Sequence, residues 1–449
     1  MTDETIPHGD LGVPVRSLRV EVLEGPDAGK GTTTGFESMT VGTAPQNDLV
    51  LSDETVSRFH LEIERRGDRI YVKDHGSTNG TAIGGAFLER ARVLPGTVLK
   101  LGRTALRVGD GETVTMELFG GDRLDGLLGG TASMRQVMAR VERAAHSNAS
   151  VLILGETGSG KEVVARAIHA RSPRAAGAFE TVDCGSMLPT LIASELFGHE
   201  KGAFTGAERQ HIGAFERANG GTLFLDEIGE LPANLQTALL GALERRAFRR
   251  VGGTQTVSVD VRVVCATNRD LRSEVNADNF RQDLYYRIAV ILLKLPPLRE
   301  RKEDIPVLAE HFARAAGYVG PFSAILPQAA MDGLLAHHWP GNVRELRNVI
   351  EAAIVMGEAP ILREGAAEAR YDETMAGSEI FERLSSLPYN DARARLLEDF
   401  EGHYLRSILK RTGGNVSLAS RRSNMDRSHL TRLIKKHGLN PRSLPDAAE

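Results

Sequence analysis

The sequence predicts a multidomain chain with three folds in series: an all-β sandwich, an α/β domain with a parallel sheet and a helical lid, and a small all-α module. Three observations carry this. The length of 449 residues exceeds what one core can serve and corresponds to roughly three domains. Apolar residues alternate with period two at Leu18/Val20/Val22, Leu61/Ile63, Ile70/Val72 and Leu99/Leu101, between Gly and Asp turns, as in a sandwich with one buried face per strand. After Gly129-Gly130, short apolar runs alternate with helical stretches, the pattern of strands joined by crossovers.

These patterns set the boundaries. A flexible start covers 1–17 and the sandwich 18–120; the α/β domain covers 125–361, with its core at 125–297 and its lid at 298–361, after Pro296-Pro297. A linker rich in Ala, Glu and Ser fills 362–390, and the helical module occupies 391–449. Composition is that of a globular protein, with 41% hydrophobic and 25% charged residues, and no apolar run approaches membrane-spanning length. The acidic, polar start lacks the basic and apolar parts of a secretion signal, so a cytoplasmic location is expected. Cys184 and Cys265 stand in apolar stretches without metal-ligand spacing and read as buried bystanders. The net charge of -4 conceals a basic end: from Leu405 to Ser443 only Asp426 opposes a series of Arg and Lys that includes Arg427, Arg432, Lys435 and Lys436, an imbalance that points to a polyanion.

The α/β domain carries a nucleotide signature. Val151-Leu152-Ile153-Leu154 reads as a buried strand and feeds Gly155-Glu156-Thr157-Gly158-Ser159-Gly160-Lys161, after which a helix begins. The glycines let backbone N–H groups turn toward phosphates, the helix N-terminus adds partial positive charge, and Lys161 reaches the β and γ oxygens of ATP. Glu162 stands where many such loops place a Ser or Thr ligand for Mg2+, which puts the metal on Asp226 and water. Asp226 ends the apolar strand Leu223-Phe224-Leu225, and Glu227 is placed to polarise the attacking water.

Between these halves lies Gly202-Ala203-Phe204-Thr205-Gly206-Ala207, a small-residue insert with one bare aromatic and one hydroxyl and no task in hydrolysis. It reads as a coupling loop, a tip that pushes on another protein. With the preceding Glu195-Leu196-Phe197-Gly198-His199-Glu200-Lys201, the stretch resembles the bacterial enhancer-binding proteins, the AAA+ activators of sigma-54 RNA polymerase. The likeness covers about 127–361. It implies that the Gly202–Ala207 loop contacts sigma-54 and that ATP hydrolysis converts a closed promoter complex into an open one. By the same resemblance, Asn268 is the first sensor, Arg281 and Arg287 are fingers reaching a neighbouring subunit's nucleotide, and Arg344 is the second sensor. A hexameric ring with head-to-tail contacts follows from it. Asp183, before Cys184, departs from the family, where an Asn often restrains the catalytic glutamate.

Two flanking modules complete the reading. Thr412-Gly413-Gly414-Asn415 gives a turn and a cap, Val416 and Ala419 face inward, and Met425-Asp426-Arg427-Ser428 makes a second turn before Leu430, Leu433 and Ile434. This is helix-turn-helix grammar and resembles the Fis-type end of many enhancer-binding proteins. The resemblance places Arg427, Ser428, His429, Thr431 and Arg432 in the major groove of enhancer DNA, and Lys435 and Lys436 on phosphates. At the front, Val56-Ser57-Arg58-Phe59-His60 and Asp74-His75-Gly76-Ser77-Thr78-Asn79-Gly80-Thr81 resemble a forkhead-associated (FHA) domain. That implies a phosphothreonine-containing partner, with Ser57 on the phosphate, Thr78 and Asn79 lining the site, and His60 behind the loops. Gly42-Thr43 stands where that family has Gly-Arg, which removes a cation worth about 1.5–3 kcal/mol to a phosphate. Arg58 is the replacement the sequence offers.

Together these readings describe a signal-responsive sigma-54 activator using ATP and Mg2+. Two alternatives fit parts of the pattern: an AAA+ remodeller of some other target, or a phosphopeptide-binding repressor whose ATPase only sets oligomeric state. The coupling loop argues against both.

Overall fold

The computed structural model describes residues 12–34, 38–187 and 189–359, and in the C-terminal part 404–405, 408–409, 412, 416, 419–420 and 427–437. The chain forms two compact units, Met1–Leu362 and Arg363–Glu449. The expected linker, and the turns at 413–415 and 425–426, lie outside the described residues.

The first unit opens with the expected sandwich. One sheet has six strands, in the order Gly31–Thr34, Gly12–Glu24, Thr104–Glu117, Val98–Leu101, Thr81–Ile83, Ala86–Leu88; the other has five, in the order Leu49–Val50, Ser38–Gly42, Leu61–Arg66, Arg69–Asp74, Arg90–Val93. Leu18, Val20, Leu61, Ile63, Val72, Leu99 and Leu101 are all fully buried between the sheets, as their alternation requires. The first strand starts at Gly12, earlier than the expected Leu18. Its added residues pair with Thr113–Glu117 as a ribbon, beyond a register shift between Arg16 and Leu18. None of Gly12 to Arg16 is buried, so this extension has no period-two signal to read.

The α/β core is a five-stranded, wholly parallel sheet in the order Phe179–Asp183, Thr222–Asp226, Arg262–Thr267, Val151–Leu154, Ile291–Lys294. The central strands are continuous apolar runs because helices cover both faces. Buried Arg262 ties the helix Ala132–Ala145 to the sheet by donating to the last carbonyls of that helix, Ala144 (2.6 Å) and Ala145 (2.9 Å). Both cysteines are buried, and desolvation pushes the Cys184 thiol up to about 12.

The lid packs helices Ile305–Ala315, Gln328–Ala336 and Asn342–Met356 around a fully buried Trp339, whose Nε1 donates to the Leu334 carbonyl (2.8 Å). The second unit has its own small core of Leu405, Ile408, Leu409, Ala419, Leu430 and Ile434, with Val416 and Leu433 against it. The helix Arg427–Lys436 runs through the expected recognition segment. Among the described residues no helix is long and apolar enough to cross a membrane.

Candidate functional site

The phosphate loop joins the strand Val151–Leu154 to the helix Lys161–Ala170, at the carboxyl edge of the sheet. Gly158 (φ +76) and Gly160 (φ +107) adopt backbone geometry that a side chain resists. At Gly158 there is no room either: a Cβ would lie 2.3 Å from the Gly341 carbonyl oxygen of the lid. The Arg344 N–H donates to the Gly158 carbonyl (3.2 Å), so the lid turn sits directly on the phosphate loop.

Two features missed by sequence reasoning lock that contact. Glu156 accepts from Arg299 (2.7 Å) and from Asn342 Nδ2 (3.1 Å), both lid residues. Buried Arg301 donates to the Ser159 carbonyl (3.0 Å), and desolvation lowers its guanidinium to about 10. Arginines in a helical region read as solvated charge, so neither had a sequence signal. Glu156 is therefore a brace between loop and lid.

The structure brings Lys161, Asp226, Glu227 and Asn268 together. Lys161 Nζ donates to Glu227 Oε1 (3.0 Å) and to the Gly155 carbonyl (3.1 Å). The Asn268 N–H donates to Glu227 Oε2 (3.1 Å), and Asn268 Nδ2 to Thr157 Oγ1 (3.1 Å). Glu227 takes φ +49, a left-handed conformation costing a non-glycine about 1–3 kcal/mol, of the kind found where a side chain must be aimed. Burial pushes the Asp226 carboxyl above its usual range; Glu227 and Asp183 add to this, while Lys161 and the Glu227 N–H pull the other way. Asp183 pairs in register with Asp226 on the adjacent strand, and its Oδ1 accepts from the Gly185 N–H (2.9 Å). Asp183 thus exerts its like-charge effect on Asp226. Glu162 turns outward to Arg166 (2.7 Å) and joins neither the loop nor Asp226.

Among the described residues, neither Arg281 nor Arg287 bonds to the phosphate loop of its own subunit. Arg281 caps the helix Gln282–Ile288 and pairs with Asp283 (2.7 Å), and Arg287 donates to the Leu243 carbonyl (3.0 Å); both are exposed.

The loop Gly202–Ala207 closes on itself through Gly202 N–H to Ala207 carbonyl (2.8 Å) and Ala207 N–H to Phe204 carbonyl (3.0 Å). Phe204 is 42% exposed and lies edge-on to His199, with ring centres 4.8 Å apart. Arg250 braces the base by joining Glu200 (2.8 Å) to Glu216 (2.9 Å).

On the sandwich, Ser57 Oγ accepts from the Thr78 N–H (3.0 Å), and Asn79 Nδ2 donates to the Thr55 carbonyl (2.8 Å). His60, fully buried, accepts from the Ser57 N–H at Nδ1 (3.1 Å), while its Nε2 faces the Gly80 carbonyl (3.3 Å), supporting both loops from behind. Arg58 does not join this cluster; it points into the α/β domain. In the second unit Thr431, Arg432, Lys435 and Lys436 are exposed, and the side chains of Arg427, Ser428 and His429 lie outside what is described.

Comparison with known proteins agrees with this layout. Residues 127–294 match the family model described as the sigma-54 interaction domain, 299–378 the AAA+ ATPase lid domain, and 396–437 the Fis family of bacterial regulatory proteins. Residues 21–112 match a model described as the cytoplasmic domain of an inner membrane component of T3SS. Regulatory protein AtoC of Escherichia coli is 42% identical over 319 residues, 70% of this chain and 68% of that protein. Transcriptional regulatory protein ZraR of Klebsiella oxytoca is 43% identical over 307 residues, 68% of this chain and 67% of that one. Among solved structures, NtrX from Brucella abortus in complex with ATP aligns with a TM-score of 0.51 at 37% identity, covering 71% of each chain. The chain belongs to the family of sigma-54-dependent transcriptional activators, built on an AAA+ ATPase and a Fis-type helix-turn-helix.

Proposed function

We propose that ATP turnover in this chain works the Gly202–Ala207 loop against sigma-54 and converts the closed promoter complex into an open one. The observation that carries this is the loop: a closed turn with a half-exposed Phe204, braced by Arg250, and bonded to nothing in the phosphate site. Lys161 and Glu227 hold each other, so phosphate oxygens competing for Lys161 would leave Glu227 free to orient water, with Asn268 positioned between Glu227 and Thr157. Among the described residues no group of three or more acidic, His or Cys side chains is arranged to hold a metal alone. Mg2+ would share Asp226 with the nucleotide and supply neutralising charge; the acid pair Asp183 and Asp226 suits a cation.

Arg281 and Arg287, exposed and away from their own loop, serve a neighbouring subunit's nucleotide, which makes an oligomeric ring, of six in this family, the active form. The C-terminal helix Arg427–Lys436 docks in the major groove of enhancer DNA, with Lys435 and Lys436 on phosphates, and this work on DNA places the protein in the cytoplasm. Ser57, Thr78 and Asn79 form the receptor for a phosphothreonine partner.

The test separates hydrolysis from remodelling. Phe204→Ala or Thr205→Ala leaves ATP turnover within about twofold, because neither residue touches the nucleotide site, and abolishes open-complex formation in a purified sigma-54 polymerase assay. Normal open complexes from both variants would refute the loop assignment.

A further inference from the structure

The loop end of the sandwich is engaged from one side by the ATPase itself. Arg58 turns from Ser57 and donates to the Val275 carbonyl (2.8 Å) and to Asp278 Oδ1 (2.7 Å). Phe59, 3% exposed, belongs to the buried core of the α/β domain and packs edge-on against Tyr285, with ring centres 5.2 Å apart. Asn276 pins the same backbone from the other side: its Nδ2 donates to the carbonyls of Phe59 (2.6 Å) and His75 (2.9 Å). Further along, Asp270 caps the helix Leu271–Asn276 while lying 2.6 Å from Lys73 Nζ and 2.7 Å from His75 Nδ1. Although burial pushes the Asp270 carboxyl up, His75 and Lys73 hold it well below the usual carboxylate range. The clamped stretch connects Asn268, on the nucleotide side, with the exposed arginines of the following helix.

We infer that the sandwich loops hold the 275–278 turn of the ATPase as a ligand in cis, and that a phosphothreonine peptide at Ser57, Thr78 and Asn79 competes with that turn for Arg58 and loosens it. The inference rests on the phosphothreonine reading above. Its chemistry is a choice between two anions for one guanidinium. Asp278 has an 82% exposed side chain, so its pair with Arg58 is a screened surface contact. A phosphate offers more charge and three acceptor oxygens, and Ser57 is adjacent to Arg58 in the chain. The coupling is reciprocal: whatever weakens the turn's hold on Arg58 tightens peptide binding, and bound peptide releases the turn.

The experiment uses the full chain, a labelled degenerate phosphothreonine peptide mixture and its unphosphorylated counterpart, read by anisotropy, together with hydrogen exchange over 270–288. Asp278→Asn keeps a residue that tolerates φ +57 and is expected to tighten phosphopeptide binding by roughly threefold. Arg58→Gln weakens it by roughly tenfold or more. Phosphopeptide raises exchange over 270–288 in the unsubstituted protein and not in Arg58→Gln. If phosphopeptide binds but Asp278→Asn and the exchange pattern both leave matters unchanged, the cis hold is overturned and the phosphothreonine reading stands. If neither the unsubstituted protein nor Asp278→Asn distinguishes the two mixtures, the phosphothreonine reading falls and the competition falls with it.

Discussion

The phosphate loop and the sandwich cluster proposed above to take a phosphothreonine are supported in opposite ways. The hydrogen bonds that brace the Gly155–Lys161 loop come from within the ATPase, from Glu227 on Lys161, from Arg299 and Asn342 on Glu156, and from Arg301 on Ser159. The Ser57–Asn79 cluster keeps its hydroxyls and amide on the sandwich but lends its cation to another domain, where Arg58 meets Asp278. A site whose charges close among themselves binds as soon as its ligand arrives. A site whose cation is shared would bind only as well as its second partner permits, which is the coupling inferred above.

The largest expected effect on binding breaks the self-contained site. Gly158→Ala places a methyl 2.3 Å from the Gly341 carbonyl at a φ of +76, so the lid must leave the loop. ADP affinity should fall at least about a hundredfold, since lid and loop share Arg344 and Asn342 contacts that close the site. The same change on the sandwich side has no counterpart, and phosphopeptide binding should be untouched. Retained ADP affinity would show that the lid contact is incidental.

The next effect asks whether the ATP site is self-contained in catalysis as well as in binding. Arg287→Ala should keep nucleotide affinity within about twofold and lose roughly a thousandfold in turnover, the value of an arginine that stabilises charge on the transferred phosphoryl. Lys161→Ala should be inactive alone. Mixing the two inactive variants should restore part of the turnover, because some interfaces then pair an intact Lys161 with a neighbour's intact Arg287. If the mixture stays inactive while each variant still assembles, the arginine acts within its own subunit.

The contrast also explains how much could be read from residues alone. The ATP site was legible because its parts are contiguous: the glycines and Lys161 form one turn, and Asp226-Glu227 ends one apolar strand. The period-two core was legible for the same local reason. The lid brace was not, because Arg299, Arg301 and Asn342 lie far along the chain from Glu156 and Ser159, and nothing in a helical stretch marks an arginine as buried. Glu162, whose position in the motif leaves the metal to Asp226 and water, takes a helix-face partner four residues later in Arg166. The hold on Arg58 was not legible for a deeper reason. Its neighbours in sequence all belong to the sandwich, and the carboxylate that claims it belongs to a different fold.

The smallest expected effect sharpens the comparison within the sandwich. Asp53 is fully buried beneath the loop end; its Oδ1 accepts from the Thr55 N–H (3.0 Å) and hydroxyl (2.7 Å), and its Oδ2 from Thr104 (2.8 Å). Burial pushes this carboxyl up, but those bonds and Arg103 prevail and hold it at about 2, below its ordinary value of 3.8. A depressed carboxylate stabilises the fold fully above its unfolded value and loses that contribution as pH falls through the folded one. Asp53→Asn should therefore cost about 1.5–3 kcal/mol near neutrality, the usual worth of charge-assisted bonds, and the cost should fade between about pH 4 and pH 2. Thr55 also receives Asn79, so the substitution should loosen the loop cluster while ADP affinity at neutral pH stays unchanged. Urea unfolding of the sandwich followed across that pH window would check it. A cost that does not vary with pH would mean that packing, and not the charge on Asp53, holds the loop end in place.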